Sequence, residues 1–141
     1  MASFLCNQGG QYMLQCSFDG AQSPPACLFV GLCHDTPVKG DTLATLANEL
    51  SGNGYERVAV STNTTYISTS LDSGDYQARL STVTHTAAGG AWSSANHAFV
   101  CTVNSGTTGK LIAVYSLSAV RILQNTDSLN TTLRIKVAPS S

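Results

Sequence analysis

Charge is what this sequence has least of. Only 11% of its residues are Asp, Glu, Lys or Arg, against about 25% in an average soluble domain. The net charge of −1 offers neither the basic footprint of a nucleic-acid binder nor a polybasic arm for a membrane, so neither partner is expected. No run approaches the roughly 18 consecutive apolar residues of a membrane-crossing helix. The first ten residues lack both a basic segment and a long apolar one, so no secretory leader is expected and synthesis in a cytosol is.

Metal and redox motifs are missing too. The five cysteines, Cys6, Cys16, Cys27, Cys33 and Cys101, form an odd set without a CxxC pair. That argues against a secreted disulfide framework and against a zinc ribbon. They read as small core residues. The Gly-rich segment Ser51-Gly52-Asn53-Gly54 lacks the Lys and following helix of a phosphate loop and reads as a turn. No cofactor and no metal site is expected.

Local catalytic pairs fail on geometry. His97 and Cys101 would share a strand face, but four positions on a strand separate them by about 13 Å. Cys33 and His34 are adjacent and would point to opposite faces. The acids are scattered over expected turns, where Asp caps the backbone with its own side chain. The chain therefore reads as a binding or assembly module and not as an enzyme.

What the sequence has instead is Ser, Thr, Asn and Gln at its polar positions, around 43% hydrophobic residues. Such a surface suits a protein packed against neighbours, where every buried charge would need a partner. The 141 residues correspond to one domain, 1–141. Ala26 to Cys33 is a short continuous apolar run and predicts a strand buried on both faces. Further strands are expected from Tyr55 to Val60, Thr65 to Leu71, Tyr76 to His85 and His97 to Val103. Leu111 to Leu123 reads as one bent strand. Leu129 to Val137 shows the clearest alternation, with Leu129, Thr131, Leu133, Ile135 and Val137 inward and Asn130, Thr132, Arg134 and Lys136 outward. Gln11 to Phe18 leans to a short helix, and a single helical turn fits between Thr42 and Leu50. About eight short strands with turns between them predict an all-β jelly roll or β-sandwich with one short N-terminal helix.

One ordered set of residues goes beyond composition. Leu28-Phe29-Val30-Gly31-Leu32 is followed by Thr36-Pro37 and then by Glu49-Leu50-Ser51-Gly52-Asn53-Gly54-Tyr55-Glu56-Arg57-Val58-Ala59-Val60. This resembles a family of small tailed-phage virion structural proteins, whose members carry an apolar strand, a Thr/Pro turn, an acidic residue and a Ser-Gly-x-Gly-Tyr-x-Arg core. The cysteine-bearing N-terminal segment departs from that pattern. The resemblance implies a β-rich virion component, made in the host cytoplasm, with no catalytic residue to carry over. Within that class, the low charge and small size favour a capsid decoration (cement) protein that binds and stabilises the major capsid protein shell, as a homo-oligomer. The alternative is a tail-tip or tail-fibre-associated module that binds a host receptor or glycan. Three residues are candidates for interaction: Tyr55 beside the Gly turn, Arg57 as a contact to a neighbouring chain, and Trp92 in its Gly-Gly-Ala-Trp-Ser-Ser loop as a stacking surface.

Overall fold

The computed structural model describes residues 4–136. The expected last core position, Val137, and the tail from Ala138 lie outside the described residues. Strands dominate. A five-stranded antiparallel sheet has the order β1-β8-β7-β2-β3, built from β1 (Phe4–Leu5), β2 (Cys27–Cys33), β3 (Val58–Ser61), β7 (Ala95–Cys101) and β8 (Leu111–Arg121). A three-stranded sheet, β10-β5-β4, comprises β4 (Ile67–Asp72), β5 (Asp75–Leu80) and β10 (Arg134–Lys136). β6 (Val83–Thr86) and β9 (Ser128–Thr131) form a two-stranded ribbon. The fold is all-β and sandwich-like, with one short helix, α1 (Asn7–Leu14).

The continuous apolar run of β2 is buried on both faces, as its length and flanks predict. Alternation sends Leu28, Val30 and Leu32 to one side, where they meet Leu80, Val83 and Ile135 of the smaller sheets and Leu133 between β9 and β10. Phe29 and Cys33 go to the other side, joining Phe99, Cys101 and Val114 under Leu43 and Leu46 of the following loop. The large sheet thus separates two apolar layers. The single turn expected within 42–50 is present, with the Leu46 amide donating to the Thr42 carbonyl at 2.9 Å, and it carries the Leu43 lid.

The helix lies further N-terminal than the periodicity predicts, and its sequence alone is a poor helix. Gly9 and Gly10 each cost about 1 kcal/mol relative to Ala, and Cys6 provides no side-chain cap. Docking on β8 compensates. A Cβ on Gly9 would collide with the backbone of Ile112, so only glycine lets the helix approach this closely. The Gln8 side chain accepts the Leu111 amide at 2.8 Å. A π-helical turn, Gln15–Asp19, extends the element, and Gly20 at φ 70° ends it.

Two strands read as continuous in the sequence are each broken. Tyr76–His85 divides into β5 and β6, and Leu129–Val137 into β9 and β10. Both breaks fall at one corner, where the Thr82 and Thr132 hydroxyls hydrogen-bond at 2.6 Å. The two segments stay paired with each other on both sides of the corner, with a one-residue change of register: Arg79 faces Arg134 before it and Val83 faces Thr131 after it. The inward alternation of Thr131, Leu133 and Ile135 continues across the break. Changing sheets through a corner is how strands close the ends of a sandwich.

Candidate functional site

β3 covers β2 only from Cys27 to Val30. Beyond that point the exposed edge of β2 needs other partners, and the Glu49–Arg57 segment supplies them. The Leu50 amide donates to the Leu32 carbonyl at 3.1 Å, and the Leu32 amide donates to the Tyr55 hydroxyl at 2.9 Å. Tyr55 therefore stays out of the ladder, and the strand expected from residue 55 starts at Val58. The turn that delivers it holds Gly52, Asn53 and Gly54 at φ 76°, 49° and 81°. Three successive left-handed residues suit only Gly and Asn.

Tyr55, Glu49 and Arg57 then close on one another. The Tyr55 hydroxyl donates to Glu49 Oε2 at 2.8 Å. Arg57 donates to both carboxylate oxygens, from Nε to Oε2 at 2.8 Å and from Nη2 to Oε1 at 2.7 Å. The guanidinium also reaches the Val103 and Gly106 carbonyls, at 3.0 and 3.1 Å, and lies 5.4 Å from the centre of the Phe99 ring. Its hydrogen bond to Glu49 holds its pKa above the usual guanidinium value despite burial. Burial, and next the Glu49 charge, push the Tyr55 phenol above its ordinary range.

Behind Tyr55 sits an aromatic cluster. His85 stacks on it at 6.1 Å, and Trp92 meets it edge-on at 5.4 Å. The Trp92 indole donates to the Asn53 carbonyl at 2.8 Å, while the Asn53 side chain donates to the Ala91 carbonyl. The three candidate residues therefore converge, and they converge inward. Arg57 is 8% exposed and Trp92 4%, with their polar groups bonded within the chain. A shallow depression of about 260 Å³ remains above them, bounded by Glu49, Glu56 and the Asn104–Gly106 loop.

One thiol and one imidazole meet between strands. Adjacent strands place Cys33 opposite His97, a pairing that spacing along one strand does not reveal. Burial, helped by Asp35 and Glu49, pushes the Cys33 thiol up to about 12, and burial lowers the His97 pKa. A neutral thiol beside a neutral imidazole, without a hydrogen bond between them, is not an activated pair. No cluster of three or more His, Cys, Asp or Glu able to hold a metal occurs among the described residues. No helix among them is long and apolar enough to cross a membrane.

The surface does carry a second candidate. A groove of about 460 Å³ runs between the helical segment and the three-stranded sheet, lined largely by apolar groups that include Tyr12, Met13, Leu28, Tyr76 and Ile112. The elements forming its walls expose more: Leu14 by 60%, Phe18 by 83%, Leu71 by 60% and Tyr76 by 68%. Sequence reasoning missed this face, because exposed apolar residues break periodicity instead of creating it. Leu14 and Phe18 at helical i, i+4 spacing were the one available signal.

The comparison with curated proteins finds no match. A family model described as podophage GP4 fiber I protein gp80 matches residues 6–135, a span that takes in both apolar layers, the Glu49–Tyr55–Arg57 cluster and the groove. The chain belongs to this podophage fibre protein family and is a phage virion structural protein.

Proposed function

We propose that the chain is a non-catalytic building block of the fibre apparatus of a tailed phage, held to neighbouring virion proteins through apolar and neutral polar contacts. The observation that carries this reading is the apolar face around the groove. Single exposed apolar residues are ordinary, whereas a contiguous set marks an interaction surface. Tyr76 lines the groove and faces Leu71 across the β4–β5 pair, and Leu14 and Phe18 lie on the helical segment whose Tyr12, Met13, Cys16 and Ser17 form the other wall. The scarcity of charge fits the same role, since charged residues are depleted where interfaces are fully buried.

In this reading Tyr55, Arg57 and Trp92 do not grip a ligand. They fix the turns at residues 51–54, 88–92 and 103–106 so that the surrounding surface keeps one shape. The fibre family supports the tail side of the particle. A cement role on the major capsid protein shares the low charge but has no separate observation in its favour.

The experiment compares two fractions. Purified protein is incubated with undecorated capsids and, separately, antibody against it is used to label disrupted virions for electron microscopy. Label on the fibres, with no stoichiometric binding to capsids, is the expected result. Stoichiometric capsid binding that raises the capsid melting temperature would overturn the fibre reading in favour of cement.

A further inference from the structure

The three-stranded sheet ends in an edge that most monomers would protect. β4 pairs with β5 on one side, and no strand lies on its other side among the described residues. Natural sheets blunt such edges with Lys, Pro, a bulge or an inward charge. Ile67-Ser68-Thr69-Ser70-Leu71 has no charge and no Pro, and its register against β5 runs without a bulge.

The parity of the edge can be worked out. In an antiparallel pair, backbone groups of alternate residues face the partner strand. The Ser81 amide donates to the Tyr66 carbonyl at 2.7 Å, and Tyr66, Ser68 and Ser70 share one parity. The backbone groups of Ile67, Thr69 and Leu71 therefore point away from β5. The Ile67 amide turns back to the Asn63 carbonyl at 2.9 Å. The amides of Thr69 and Leu71 and the carbonyls of Ile67, Thr69 and Leu71 remain for another strand.

That segment reads nearly the same in both directions about Thr69. An antiparallel copy with Thr69 opposite Thr69 sets Ser68 against Ser70 and Ile67 against Leu71. Like meets like on both faces of the sheet. The charges also agree: Asp72 falls opposite Tyr66, and the two copies of Asp72 lie at opposite ends of the pairing, so no like charges face each other. The outward backbone groups match as well. Thr69 exchanges both hydrogen bonds with Thr69 of the second copy, and each Leu71 amide meets an Ile67 carbonyl.

We infer that β4 is a homotypic docking edge: two copies of this chain pair β4 to β4 about a two-fold axis at Thr69, merging their three-stranded sheets into one. This is an isologous contact, the commonest kind between identical chains. It covers Leu71, 60% exposed in the single chain, with Ile67 of the second copy, beside the groove wall formed by Thr69, Tyr76 and Ala78. The contact alone is well under the roughly 1,200 Å² of a standard stable interface. Pairing is therefore expected at high concentration, or where an assembly holds copies side by side and raises their effective concentration.

Two measurements test it. Sedimentation equilibrium from micromolar to millimolar protein should show a concentration-dependent dimer. In a Cys16→Ser, Cys27→Ser background, Thr69→Cys should cross-link to its own copy under mild oxidation, because facing residues of a hydrogen-bonded pair have Cα atoms about 5.5 Å apart, within disulfide reach. Ser70→Cys, which faces Ser68 and not itself, should cross-link at least tenfold less. Thr69→Pro removes an outward amide and no bond to β5, so the melting temperature should hold while the dimer is lost. Thr69→Lys, which sets two like charges face to face, should lose the dimer too and serves if the proline variant folds poorly. No dimer at millimolar concentration, equal cross-linking at 69 and 70, or undiminished dimers in both Thr69 variants would each overturn the pairing. The pairing stands apart from the fibre reading: a chain that dimerises through Thr69 but labels capsids would keep the first and lose the second.

Discussion

Arg57 holds Glu49 in a two-point grip, with both carboxylate oxygens engaged at 2.7 and 2.8 Å. The same guanidinium ties the pair to the carbonyls of Val103 and Gly106. Lysine cannot reproduce a planar fork, so Arg57→Lys should lower stability by about 2–3 kcal/mol. Glu49→Gln leaves the buried guanidinium without its counter-charge and should cost a similar amount. Because the two groups act on each other, the double variant should lose less than the sum. Urea unfolding followed by the emission of Trp92, the sole tryptophan, measures all three. Single variants within about 0.5 kcal/mol of the parent would show the lock to be idle.

Gly31 is needed for the packing around it and not for its own backbone. A Cβ there would overlap the Phe99 ring and stand 2.8 Å from the Tyr55 hydroxyl. Gly31→Ala should therefore destabilise by about 3 kcal/mol, the upper part of the overpacking range. Adding Phe99→Leu, which withdraws the ring, should recover part of the loss. A double variant worse than both singles would mean that the clash lies elsewhere.

The residues that announce themselves in this sequence do so through local pattern, and the remainder depends on contacts between distant segments. β2 was legible because a strand with apolar cover on both faces needs no polar alternation. The inward face of 129–135 was legible for the opposite reason, its strict alternation. Its break at Thr132 was not, because the one-residue slip in register against the 75–86 segment leaves the inward period of two along 129–135 unchanged. Glu49, Tyr55 and Arg57 lie within nine residues of one another and could be read as a group. Their inward orientation depends on Phe99, Val103 and Gly106, more than forty residues away, and spacing alone carries no trace of that.

Thiol reactivity should divide the five cysteines sharply. Cys6, Cys33 and Cys101 are buried, whereas Cys16 and Cys27 are half-buried, and none is paired. Burial pushes the thiols of Cys6 and Cys33 up to about 12, and the Cys101 thiol donates to the Val103 carbonyl at 3.2 Å. Since the thiolate is the reacting form, an aromatic disulfide reagent at mildly alkaline pH should label Cys16 and Cys27 first. The other three should wait for denaturant. Mapping by mass spectrometry decides it, and early labelling of Cys33 would contradict the buried layer under Leu43.

His85 makes stability sensitive to mild acid. Its Nε2 lies 3.1 Å from the Val30 carbonyl, an acceptor, so Nε2 carries the hydrogen. Nδ1 is buried without a partner. Burial lowers the His85 pKa below 6.5, only partly offset by the Val30 contact. The unfolded chain thus takes the proton first as pH falls. The stabilising contribution is complete above about pH 6.5 and is lost as pH falls through the folded value. His97 shifts in the same direction through its own burial. The melting temperature should hold from pH 8 to about 7 and fall below about 6.5. His85→Gln keeps a donor for Val30 and should flatten that fall without abolishing it. Parallel curves for parent and variant would remove His85 from the account.

The apolar face separates assembly from folding, because its side chains are already in water. Phe18 is 83% exposed and Tyr76 68%, so replacing either with Ser removes little buried area. The stability change should stay within about 0.5 kcal/mol. If neighbouring virion proteins cover this face, the same substitutions expose them to the loss of an apolar anchor, and interface anchors commonly carry more than about 2 kcal/mol each. Phages complemented with Phe18→Ser or Tyr76→Ser should therefore carry at least tenfold less of this protein per particle, while the purified variants melt like the parent. Quantitative immunoblotting of purified virions beside thermal melts reads both sides of that statement. Normal incorporation of both variants would move the contact surface away from the groove, and an equal drop in melting temperature would make the face part of the folded core instead.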